Sequence, residues 1–232
     1  MRLLHVAGMC VSAQEQTTLE LYELWAESYP PVPHNPLMRA EQEAMQQLWP
    51  AVSGRRVLDL ACGSGRYARL LAAAGAAPVL ALDRSPQMLR QVAGATAVQG
   101  SMMRLPFASG TFDAVICGMA VGHAADLEAW MSEVARVLGP RGALVYSDFH
   151  PRAAAEGHVR RFRDAQGASH VVPHYRHAIG AHWEAAASAG LTLEATREVR
   201  VGIELREDFA GAAEFYRRWH GLPVVLAVRV RK

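Results

Sequence analysis

An apolar run, Val57-Leu58-Asp59-Leu60-Ala61, leads directly into Cys62-Gly63-Ser64-Gly65. A strand that delivers two glycines to the start of a helix lets a ligand approach the backbone, because no side chain stands in the way. In open α/β sheets such loops lie at the carboxyl ends of strands, where ligands bind. Eighteen residues beyond Gly65, Asp83 closes the next apolar run. An acid in that place accepts hydrogen bonds from both hydroxyls of a ribose. Taken alone, Gly63-Ser64-Gly65-Arg66-Tyr67-Ala68 also fits a dinucleotide pattern with Ala in the third place, but that match is weak. Asp59 discriminates. Its carboxylate beside the glycines repels a pyrophosphate and welcomes an ammonium, directly or through water. The ligand implied has a ribose and a cation, and no phosphate next to Asp59.

The elements that must position these residues follow from the pattern of apolar runs. Arg56–Ala61, Pro78–Leu82, Ala95–Gln99, Thr111–Cys117 and Gly142–Asp148 read as strands. Between them, Arg66–Ala74, Pro86–Val92 and Leu127–Leu138 read as helices, the last two with Ser85 and Asp126 as N-caps. Gly139-Pro140 reads as the stop of the third helix. Strands alternating with helices imply parallel pairing and right-handed crossovers. The near-continuous apolar strands imply a sheet covered on both faces. Later come a helix (about 177–189), a strand (Leu191–Val201), a helix (about 207–219) and a strand (Pro223–Val230). The last two strands are expected to form an antiparallel edge. The expectation is a doubly wound, mostly parallel α/β sheet of seven strands. Residues 1–50 form a tail and helices with a Pro-rich break at Tyr29–Pro33, ahead of a main domain at 51–232. Residues 150–176 show no clean period and are expected to be an irregular lid insert beside the site.

Composition narrows the class. The chain has 232 residues, 51% hydrophobic and 20% charged, with a formal net charge of +2, which excludes a disordered chain and argues against a dedicated nucleic-acid binder. Lys232 is the only lysine, so the basic charge is almost all arginine. Cys10, Cys62 and Cys117 are too sparse for a disulfide framework or a zinc site and fit a reducing, cytoplasmic setting. No apolar run reaches the roughly 20 residues that span a bilayer. His5 and Gly8 interrupt the mildly apolar start, so a loose tail is expected there rather than a leader.

S-adenosylmethionine answers the description of the ligand, and a family resemblance points the same way. Val57–Gly65, Asp83, Gly100–Phe107 (GSMMRLPF), Phe112-Asp113-Ala114-Val115 and Glu133–Gly142 (EVARVLGPRG) together resemble a class I S-adenosylmethionine-dependent methyltransferase. The nearest likeness is to its broad small-molecule ("type 11") group. The resemblance covers about residues 20–150 well and the rest loosely, and the run of motifs in order is far more specific than any one of them. It implies the Rossmann-like methyltransferase fold with a helical cap at the N-terminus. It implies that the backbone at Ala61, Gly63 and Gly65 lines the methionine part of the cofactor and that Asp83 holds the ribose. Arg84 and Met88 would lie near the adenine. Ser101 and Met102 stand where many relatives have an acid and a small residue beside the adenine amino group, so Ser101 departs from the pattern and offers a weaker bond. Cys117, Gly118 and Met119 would end the fourth strand facing the sulfonium. Tyr22–Tyr29 (YELWAESY) resembles a tyrosine-bracketed capping helix, in which Tyr29 or Trp25 offers a cation–π surface. The plain alternative is an apolar helical stripe of Leu21, Trp25 and Tyr29. Arg39 is a candidate partner for the methionine carboxylate.

Six of the ten histidines lie between His150 and His182. His170, His174 and His177 have no Cys or carboxylate at a standard zinc spacing, so no metal is expected. His150 follows the strand ending in Asp148, and His123 follows the fourth strand. Both are expected on the rim, where either, or Tyr22, is a candidate general base for a hydroxyl or amine. Arg160 and Arg163 are candidates to clamp a carboxylate. The expected activity is methyl transfer to an O or N nucleophile of a small molecule, such as a secondary metabolite, by a monomer or homodimer. Two alternatives stand beside it. One is carboxyl methylation of a malonyl group on an acyl carrier, since Tyr22–Tyr29 followed by Leu37-Met38-Arg39 resembles that group as well. The other is a nicotinamide-cofactor oxidoreductase, against which Asp59 speaks.

Overall fold

The computed structural model describes residues 13–203 and 212–232. Two helices, α1 (Ala13–Ala26) and α2 (Pro36–Leu48), precede the first strand. Asn35 starts α2 by accepting the Met38 amide at 2.9 Å, and Pro36 supplies a helical φ at the first position. Then follow β1 (Val57–Leu60), α3 (Arg66–Ala73), β2 (Val79–Asp83), α4 (Pro86–Leu89), β3 (Thr96–Gln99), β4 (Phe112–Cys117), α5 (Leu127–Val137) and β5 (Leu138–Phe149). The expected caps are in place: Ser85 accepts the Met88 amide and Asp126 the Ala129 amide. The remaining elements are α6 (Pro151–Ala155), β6 (Arg160–Arg163), β7 (Ser169–Val172), α7 (Ile179–Ser188), β8 (Thr192–Arg200), α8 (Ala212–Trp219) and β9 (Pro223–Arg231).

Seven strands form one sheet in the order β3-β2-β1-β4-β5-β9-β8. The first five run parallel, and β9 is antiparallel to both β5 and β8. β1 is thus central, with Asp59 opposite Ala81 on one side and Ile116 on the other. Successive residues serve opposite faces. Val57, Ala81, Ile116 and Val145 pack with Met45, Leu48 and Leu71 of α2 and α3. Leu58, Leu60, Val115 and Leu144 pack with Trp130, Met131 and Val134 of α5 and Ala185 of α7. Helices on both faces explain why the strands are apolar throughout. No helix among the described residues is long and apolar enough to cross a membrane.

Three local expectations are corrected. α4 ends at Leu89 rather than Val92. α5 passes into β5 at Leu138 without a stop at Gly139-Pro140, and the pairing jumps from Phe112–Leu138 to Ala114–Ala143 around those residues. The stretch 150–176 is not irregular: α6 is followed by a hairpin in which Phe162 pairs with His170. The start of the expected helix at 207–219 and the tail 1–12 fall outside the described residues.

Candidate functional site

The loop after β1 is built on left-handed backbone, with φ of 54° at Ala61, 53° at Gly63 and 82° at Gly65. A Cβ added at Gly63 would meet no atom within 4 Å, so the space above the loop is open. Asp83 braces this loop: its Oδ2 accepts the Gly63 amide at 2.7 Å and its Oδ1 the Ser85 amide at 2.9 Å. Burial raises the Asp83 pKa, and those amide donors work against the rise. Asp59 is buried below the loop, where its Oδ2 accepts the Ala68 amide in the first turn of α3 at 2.7 Å. Burial pushes its carboxyl up to about 8.

These groups open into a cavity of about 920 Å³. Of the residues singled out in the sequence, Tyr22, Tyr29, Asp59, Ala61, Gly63, Asp83, Arg84, Met88, Ser101, Met102, Met119 and His123 line it. Four others do not. Gly65 lies at the head of α3, close under Val92. Cys117 is fully buried in the core on the α5 face, and Gly118 and Met119 reach the cavity in its place. Arg39 is exposed and off the cavity wall, whereas Arg66 at the start of α3 is one of the arginines that line it. His150, expected on the rim, is 1% exposed and starts α6 instead. Its Nδ1 accepts the Arg152 amide and its Nε2 lies 3.3 Å from Glu198 of β8, because the chain turns toward that strand on leaving β5.

A buried network that sequence reasoning missed fixes the floor. Glu41 of α2 receives Arg66 Nη2 at 2.7 Å on one oxygen, and the hydroxyls of Tyr67 and Ser147 on the other. Ser147 Oγ in turn accepts the Met119 amide at 2.9 Å. Burial opposes the Arg66 charge, but the Glu41 carboxylate beside it raises the arginine pKa overall. Met119 is thereby held at φ 56°, just beyond β4. Its neighbour Gly118 leaves room for the Tyr67 ring, since a Cβ there would stand 2.2 Å from Tyr67 Cε2. The signal available in the sequence was Glu41 itself, an acid in line with Met45 and Leu48 on the buried side of α2.

The roof is aromatic. The Trp25 ring lies 4.8 Å from Tyr29 and 4.6 Å from Phe162 of the hairpin. Beside it, the Tyr22 hydroxyl sits 2.9 Å from His123 Nε2. Arg160 donates to the Tyr22 hydroxyl and to the Met119 carbonyl, and its guanidinium carbon is 5.1 Å from the Phe149 ring centroid. Burial, reinforced by Arg160, holds His123 well below the usual histidine range. Burial raises the Tyr22 phenol, with Arg160 opposing. The result is a neutral tyrosine–histidine pair beside a fixed cation. An open glycine backbone, a carboxylate one strand away and rings overhead fit a ligand that carries a ribose and a cation.

Comparison with known proteins gives the family. Residues 58–146 match the family model described as "Methyltransferase domain". The chain is 40% identical over 113 residues to the demethylmenaquinone methyltransferase of Deinococcus radiodurans, covering 45% of this chain and 47% of that protein. It is 37% identical over 118 residues to the malonyl-[acyl-carrier protein] O-methyltransferase of Enterobacter lignolyticus, covering 49% and 47%. The chain spans about half the length of the curated relatives it matches. A crystal structure of an S-adenosylmethionine-dependent methyltransferase from Mesorhizobium loti superposes with a TM-score of 0.67 at 25% identity, over 83% of this chain and 98% of that one. Residues 58–146 form a class I S-adenosylmethionine-dependent methyltransferase domain, and the cofactor of that domain is S-adenosylmethionine.

Proposed function

We propose that this chain transfers a methyl group from S-adenosylmethionine to an O or N nucleophile of a small molecule. The observation that carries this reading is the continuity of one cavity. Its Gly63–Asp83 end runs past Met119 into a second end walled by Phe149, Arg160 and Trp219. When bound, S-adenosylmethionine supplies an already activated methyl group for in-line displacement at carbon. The protein's share is therefore alignment, which is worth roughly 7–11 kcal/mol in well-oriented systems.

In this reading Asp83 holds the ribose and the backbone at Ala61 and Gly63 lies along the methionine part. Arg84, Met88, Ser101 and Met102 surround the adenine and the Tyr29–Trp25 rings face the cationic groups, while Asp59, buried and bonded to the Ala68 amide, braces the loop from below instead of pairing with a charge. Tyr22 hydrogen-bonds the nucleophile and takes up its proton while passing its own phenolic proton to His123 Nε2, and Arg160 steadies the negative charge that develops on the nucleophile's oxygen. His150, engaged with Glu198 and absent from the cavity wall, has no part in proton transfer.

Titration calorimetry with S-adenosylhomocysteine, with NAD as control, tests the cofactor. Selective binding of the former supports the reading, and selective binding of NAD turns it to an oxidoreductase. A second reading is carboxyl methylation of a malonyl group on an acyl carrier. Arg160 suits a carboxylate, and a relative matched over 118 residues is named for that reaction. Product that forms with malonyl-loaded carrier protein and not with small acceptors would select it.

A further inference from the structure

The end of the cavity away from Asp83 is a box of rings. Phe149, at the end of β5, lies 4.8 Å from the ring of His158. His158 meets Trp219 nearly edge-on at 5.2 Å and Phe215 at 6.1 Å. The rings come from three separated pieces of the chain: the end of β5, the turn between α6 and β6, and α8. All four line the cavity.

His158 is the anomaly in this box. It is only 8% exposed, and its Nδ1 has no hydrogen-bond partner among the described residues. A buried polar nitrogen left unpaired carries a desolvation penalty, and each such case calls for an explanation. Burial first, then His174 and Arg160, push its pKa down to about 4. The imidazole is therefore neutral near pH 7, with one donor and one acceptor to offer and no charge. Flat ring faces favour a flat guest that can stack or meet them edge-on. Two guanidiniums stack on these rings: Arg160 over Phe149, beside Tyr22 and His123, and Arg218 over Trp219 at 4.9 Å.

We propose that this box is the acceptor subsite, that it takes a planar aromatic ring bearing hydroxyl groups, and that His158 is the positioning residue that pairs with the substituent remote from Arg160. The ring lies among Phe149, Phe215 and Trp219, one hydroxyl reaches Arg160 and Tyr22, and the other reaches His158. The inference rests on the methyltransferase reading for the purpose of the box, but its binding claim is separately measurable.

The test uses 2,6-dihydroxynaphthalene as probe, 2-naphthol as the analogue without the second hydroxyl, and 1-decanol as a flexible control. Each is titrated into the wild-type chain and into His158→Phe and His158→Gln. S-adenosylhomocysteine is titrated in parallel. The expected result is binding of the dihydroxy probe in preference to decanol, weakened at least tenfold in His158→Phe and largely restored in His158→Gln. 2-Naphthol should bind both variants alike, and affinity for S-adenosylhomocysteine should stay within twofold throughout. Equal loss of both ligand classes in His158→Phe, no loss at all, or decanol binding as well as the naphthalene would overturn the proposal. Probe binding without any S-adenosylhomocysteine binding would support the box and sink the methyltransferase reading. The reverse would sink the box alone.

Discussion

The indole of Trp25 lies flat against the ring of Phe162, centroids 4.6 Å apart and planes 10° from parallel. This stack ties α1 to the β6–β7 hairpin, and the two together roof the cavity. An aromatic pair of this kind contributes about 0.5–1.5 kcal/mol beyond its buried area. Phe162→Ala should therefore weaken S-adenosylhomocysteine binding by about two- to tenfold. The loss should appear as faster release, read by stopped-flow fluorescence of the tryptophans, and the melting temperature should fall as well, since Phe162 is buried and losing a buried ring costs about 3–5 kcal/mol.

Asp83 does two jobs at once, since it accepts the Gly63 and Ser85 amides while presenting its carboxylate to the cavity. Asp83→Ala should cost S-adenosylhomocysteine affinity by tenfold or more, because ribose hydroxyls and two loop amides lose an acceptor. Calorimetry checks the affinity, and circular dichroism checks that the sheet persists. Affinity equal to wild type would remove Asp83 from the ribose role.

Two glycine substitutions should move stability in opposite directions. Gly118→Ala puts a methyl 2.2 Å from Tyr67 Cε2 and so disturbs the ring that donates to Glu41. Overpacking of this kind costs about 1–3 kcal/mol. Gly180, inside α7, has nothing within 4 Å of an added Cβ. Gly180→Ala should stabilise by up to about 1 kcal/mol through helix propensity. Chemical denaturation of both variants measures the difference.

Stability should fall between pH 6.5 and pH 8.5. Burial raises Asp59 to about 8 and Asp148 to about 7, both from 3.8. The folded chain thus keeps protons in a range where the unfolded chain has released them, so stability declines as pH rises through those values. His158 and His182, both lowered to about 4, act in the opposite sense, but only below about 6.5, where the unfolded imidazoles begin to charge. Asp59→Asn or Asp148→Asn should flatten the decline in melting temperature. A wild-type profile that is already flat or rising would refute the assignment.

The sheet was legible because its information is local and periodic: apolar runs of strand length, caps at Ser85 and Asp126, and a glycine loop after β1. The Asp83–Gly63 end of the cavity followed from that order. What escaped depends on long-range placement. Glu41 meets Arg66, Tyr67 and Ser147 only once α2 lies across the ends of two other elements, α3 and β5. Arg160 reaches Tyr22 from 138 residues away, and no spacing in the chain announces that meeting. His150 was misplaced because its position relative to β5 is clear in the sequence, but the direction in which the chain turns afterwards is not.

β9 lies between β5 and β8 although it follows both along the chain. While the ribosome is still making β9, β5 and β8 each expose a row of unpaired backbone groups, open to neighbouring chains. The nascent protein therefore passes through a sticky interval that closes only when the last strand slides into its slot. Slowing translation across residues 223–231 would lengthen that interval and raise the toll of aggregation without altering a single amino acid.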